Sequence, residues 1–101
     1  MQAVILCEFV SGEAGLRAGL LDRIAPLSLS GQGRLSFVAT GQGDTGKPMT
    51  EIVAVAFVKQ HAAEAMLLRW RGDPAFPAAV TLRLMRIEPI WSIEPLAVMF
   101  P

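Results

Sequence analysis

Groups that carry chemistry are scarce in this chain. Among its 101 residues there is one cysteine, Cys7, and one histidine, His61. A lone cysteine excludes an intrachain disulfide, and the two residues together are too few for a multi-Cys/His zinc cluster. Charged residues make up only 18% and cancel to a formal net charge of zero. The basic footprint on which nucleic-acid binding leans is therefore missing. Long apolar runs are missing too, since the longest, Ile52 to Val58, is far too short to span a bilayer. The opening Met1-Gln-Ala-Val-Ile-Leu-Cys-Glu8 has neither the basic start nor the longer apolar stretch of a secretory signal. The expectation is a cytoplasmic protein that binds neither nucleic acid nor membrane and needs no metal or organic cofactor.

What the chain has in abundance is apolar surface. Hydrophobic residues reach 52%, which a single small domain has difficulty hiding because its surface is large for its volume. Part of that surface is expected at a subunit interface, in a homodimer or higher oligomer.

Along the chain, Ala3 to Val10 is a compact run rich in Val, Ile and Phe and reads as a strand. Ser11 is placed to cap a following helix, with Glu13 in its first turn. Leu16, Leu20 and Ile24 recur every four residues and give that helix an apolar stripe. Pro26 is expected to end it. A second strand runs from Arg34 to Thr40 and a third from Glu51 to Val58. Ala63, Met66, Leu67 and Trp70 then fall at i, i+3, i+4 and i+7, a helical stripe stopped by Gly72, Asp73 and Pro74. Alternation from Val80 to about Ile87 suggests a last strand. The order strand–helix–strand–strand–helix–strand predicts an α+β, ferredoxin-like domain over residues 1–88, with an antiparallel sheet and both helices on one face. Residues 89–101 repeat the pattern Ile-Glu-Pro and carry Pro89, Pro95 and Pro101. They read as an apolar tail packed on the domain or on a partner subunit.

One stretch suggests nucleotide binding. Gly41-Gln-Gly-Asp-Thr-Gly-Lys-Pro48 fits the glycine spacing of a dinucleotide fingerprint and nearly that of a P-loop. Both need a helix N-terminus to receive the phosphate, and the run after Pro48 is β-branched. Pro48 also replaces the magnesium-binding hydroxyl and lacks an N–H. A hairpin loop is the better reading.

Polar residues within apolar strands are the more informative candidates. Glu8 shares parity with Val4, Leu6 and Val10, and Arg34, Ser36 and Thr40 share parity with Val38. If the helices cover one side of the sheet, these side chains lie on the other, where Glu8, Arg34 and Ser36 would line a ligand site. Pairing with Arg34 would lower the pKa of Glu8, and burial would raise it. Trp91, in the tail, is the fourth candidate, as an interface anchor or pocket wall. Cys7 is expected to be buried and inert, Trp70 to be core, and His61 to face solvent.

The run Ile52-Val-Ala-Val-Ala-Phe-Val-Lys-Gln-His-Ala-Ala-Glu-Ala-Met-Leu-Leu-Arg-Trp-Arg-Gly-Asp-Pro-Ala-Phe76 resembles a strand, helix and turn of the dimeric α+β-barrel superfamily. That superfamily includes small monooxygenases and muconolactone-isomerase-like proteins. The resemblance implies a homodimer whose two sheets face each other around an apolar cavity. The functional expectation is a small protein that binds an apolar or aromatic molecule there, with or without turnover. The alternative is an assembly or regulatory module that docks a protein partner through its tail.

Overall fold

The computed structural model describes residues 1–13, 15–41 and 49–88. The elements are β1 (Ala3–Val10), α1 (Leu16–Ser30), β2 (Gly33–Gly41), β3 (Thr50–Phe57), α2 (Gln60–Gly72) and β4 (Thr81–Arg86). The strands form one antiparallel sheet in the order β2-β3-β1-β4. The protein is α+β, compatible with the ferredoxin-like arrangement read from the sequence. The tail 89–101, with Trp91, and the glycine stretch 42–48 lie outside the described residues.

Alternation along β1 sets the two faces of the sheet. Ala3, Ile5, Cys7 and Phe9 are buried, and they cluster with Val53, Val55 and Phe57 of β3. Against them pack Leu20, Ile24 and Leu27 of α1 and Ala63, Leu67 and Trp70 of α2. Both apolar stripes therefore face the same side of the sheet, where desolvating them is most favourable.

Helix α1 departs from the sequence reading at both ends. Ser11 does not cap it; its N–H bonds the Met49 carbonyl, and the N-cap is Gly15. Pro26 does not end it, and the helix runs on to Ser30. The proline is exposed, so the lost N–H bond opens toward water, and Leu27 beyond it is buried. The stop comes from Gly31, whose left-handed backbone lets its N–H cap the carbonyls of Leu27 and Ser28. Helix α2 has no side-chain cap of its own, and the Gln60 N–H donates instead to Gln2 Oε1 at 2.9 Å.

Burial pushes the Cys7 thiol up to about 12. At pH 8 a disulfide reagent is expected to label it roughly a thousandfold more slowly in the folded chain than in denaturant. Comparable rates would place the thiol outside the core. The same shift works against the fold in alkali. Below pH 9 the thiol is neutral in both states; between 9 and 12 only the unfolded chain ionises, so stability falls as pH rises.

Candidate functional site

The side of the sheet away from the helices can be laid out in rows from the strand register. One row is Arg34–Ala56–Val4–Met85, the next Phe37–Ala54–Leu6–Arg83, and the third Ala39–Ile52–Glu8–Thr81. Ala54 and Ala56 are buried, yet neither belongs to the helix-side core cluster. By register their small side chains lie between larger residues of the neighbouring strands, which defines a low strip, here called the channel, along β3. Leu6 and Val4 stand on one side of it, Phe37 and the Arg34 stem on the other. Apolar side chains dominate the face, and two of them, Phe37 and Met85, are nearly half exposed.

Glu8 and Arg34 both lie on this face, as their parity predicts, but they do not meet. Two strands across and four residues along separate their backbones by roughly 16 Å. The cation beside Glu8 is Arg83 of β4, 4.0 Å away, and both side chains are well exposed. Such a pair contributes at most about 1 kcal/mol and leaves the carboxylate solvated. Its place at one end of the channel would suit it to orient a polar tip of a bound molecule.

Ser36 plays a different part from the one its parity suggests. The β2–β3 register shifts between Leu35 and Phe37, which leaves Ser36 as the unpaired residue of a bulge. Past the bulge the alternation inverts. Val38 and Thr40 lie opposite Val53 and Glu51 on the helix side, while Phe37 and Ala39 turn to the open face. The bulge thus places an aromatic ring beside the alanine floor where simple alternation from Arg34 would not.

Glu51 went unnoticed as a site residue in the strand pattern. It is the one buried charged residue among those described, and its carboxylate accepts a hydrogen bond from the Arg17 guanidinium of α1. The first turn of α1 has no acidic residue, and Glu51 brings a negative charge to that positive helix end. This pair lies on the helix side and ties α1 to β3.

Elsewhere, an open depression of about 540 Å³ lies beside the α2–β4 turn, walled by Trp70, Phe76, Val80 and Leu82. Its architecture is that of a clasp. Arg23 donates to Asp73 at 2.9 Å and lies 5.0 Å above the Phe76 ring, which stacks on Trp70. The hydrogen bond from Arg23, then that from the Ala75 N–H, holds the Asp73 carboxyl below its usual range.

Among the described residues the element after the glycine stretch is strand Thr50–Phe57, paired antiparallel with β2, and not a helix whose N-terminus could hold a phosphate. His61 is exposed on α2, and Trp70 is buried. Among the described residues no three His, Cys, Asp or Glu side chains gather as a metal site, and no helix is long and apolar enough to cross a membrane. The chain matches no protein-family model, no curated protein and no known structure.

Proposed function

We propose that this chain is a binding module that pairs with a second copy through the open sheet face and encloses an apolar or aromatic small molecule between the two sheets. The observation that carries this is the alanine floor of Ala54 and Ala56, bordered by Leu6, Val4 and Phe37. Two such channels brought face to face leave a dry, apolar space with a few polar groups at its ends, the usual character of a small-molecule site. Burial of Phe37, Leu6 and Met85 on association would supply the driving force. The arrangement accords with the dimeric α+β-barrel resemblance of residues 52–76. Glu8 and Arg83 are the groups that would orient the ligand's polar end. Turnover, where it occurs, would rest on positioning and desolvation, with Glu8 as the available acid or base.

Leu6 lies at the centre of the face and is the position to test. Native mass spectrometry of freshly purified protein is expected to show paired chains carrying a reproducible small-molecule adduct. Leu6→Lys should remove both pairing and adduct while keeping the far-ultraviolet circular dichroism of the fold. A single-chain species in the unaltered protein, or an adduct that survives in Leu6→Lys, would overturn the reading.

A further inference from the structure

On the helix side, the outer surface is grooved along the seam between α1 and α2. The wider part of the seam, about 420 Å³, is lined by Pro26 and Ser30 of α1 and by Met66 and Arg69 of α2, over the edge of Trp70. Toward the C-terminus of α2 it merges with a smaller hollow that reaches Arg23 and Asp73. Toward the start of α2 it shares Gln32 with a hollow walled by Val58, Lys59 and His61. Between Lys59 and His61 in the chain, Gln60 lines a fourth hollow together with Arg86, Ile87 and Glu88. The depressions thus follow one another from the last described residues, around the start of α2, and along the seam.

Charge along the seam is positive. Lys59 and Arg69 are exposed, and Asp73, the carboxylate among the described lining residues, already accepts from Arg23. The sequence holds an occupant of matching chemistry. Residues 89–101, Pro-Ile-Trp-Ser-Ile-Glu-Pro-Leu-Ala-Val-Met-Phe-Pro, carry Glu94 as their sole charge amid large apolar side chains. Pro89 and Pro95 oppose its addition to the sheet as a regular strand. Reach is sufficient as well. Arg69 lies about 14 Å along the helix axis from Gln60, beside which Glu88 sits. Six residues of extended chain from Glu88 to Glu94 span up to about 20 Å.

We propose that residues 89–101 turn around the start of α2 and lie in the seam between the helices of their own chain, with the Glu94 carboxylate against the Arg69 guanidinium. The apolar side chains of the segment then cover Pro26 and Met66. The chain's own segment is favoured over that of a second copy because it is tethered beside the path, which gives it a local concentration in the millimolar range. The seam is on the opposite side of the sheet from the open face, so the inference does not rest on the face-to-face reading.

Hydrogen exchange of four full-length forms, followed by mass spectrometry, tests it: the unaltered chain, Glu94→Arg, Arg69→Glu, and the two reversals combined. In the unaltered protein the amides of 90–100 are expected to exchange more slowly than those of a free peptide of the same sequence, to the same extent at two concentrations tenfold apart. Each single reversal should speed that exchange about fivefold, and the combined form should recover the slower rate. Exchange at the free-peptide rate in the unaltered protein overturns the inference. So does protection that neither reversal changes, which would put the segment on another surface. Protection lost on dilution overturns the assignment to its own chain and gives the seam to a second copy. Glu94→Arg alters nothing in the described fold and carries the test should Arg69→Glu unfold.

Discussion

Phe57→Ala is expected to lower stability by about 4 kcal/mol and the melting temperature by roughly 20 °C. The ring is fully buried at the end of β3, with Ala3 on one neighbouring strand and Gly33 on the other. Gly33 is what makes room for it. A Cβ at that position would lie 2.9 Å from the Ala56 carbonyl oxygen and 3.3 Å from Phe57 Cδ1. The main-chain oxygen cannot step aside cheaply, so ring and glycine form one packed unit. Truncating the ring removes its transfer free energy and leaves a cavity that rigid backbone on both sides resists closing. Urea or thermal unfolding reads the loss, and a cost below about 1.5 kcal/mol would mean that this corner of the core is not packed as described.

The second large effect is expected at the ion pair between α1 and β3. Arg17→Ala removes the partner of the Glu51 carboxylate, whose side chain is only 7% exposed. Losing one member of a buried pair strands the other charge; because Arg17 itself is half in water, the expected cost is near the lower end, about 3 kcal/mol. The double replacement Arg17→Met with Glu51→Leu fills the same space without charge and is expected to come within about 1 kcal/mol of the unaltered protein. A cycle of the two single variants and the double, measured by denaturant unfolding, isolates the pair. If Arg17→Ala unfolds at the denaturant concentration of the unaltered protein, the carboxylate finds water and the pair has no structural weight.

The order of elements was legible because the long segments carry clear signals: a compact run rich in Val, Ile and Phe in Ala3–Val10, and a helical stripe in Ala63, Met66, Leu67 and Trp70. Such signals arise from burial of one face, and the sheet and helices meet on that face. Pro26 was misleading for a local reason. A proline forbids one hydrogen bond, but the packing of Leu27 and the Gly31 cap outweigh that loss. Ser36 was misleading for a geometric reason. Parity counts hold only while two strands advance in step, and a bulge is specified jointly by both partners, so β2 alone does not announce it. Glu51 was invisible for a third reason: its cation sits 34 positions away, and nothing near it in the chain marks it as paired. In the candidate site, Glu8 and Arg34 were placed on the correct face by parity. Phe37, Ala54 and Ala56, which shape the channel, emerge only from the register.

The strand order also dictates a sequence of events in time. β1 leaves the ribosome before the other three described strands, yet it lies inside the sheet between β3 and β4. The β2–β3 ladder pairs residues as near in the chain as Gly41 and Thr50, whereas the β1–β4 ladder joins Ala3 to Arg86, nearly the full described length apart. During synthesis β1 must therefore wait with one edge unsatisfied until β4 emerges. Its run Ala-Val-Ile-Leu-Cys-Glu-Phe-Val is apolar enough to recruit other chains in that interval. Glu8 is the only charge on that run, and a charge there opposes such recruitment.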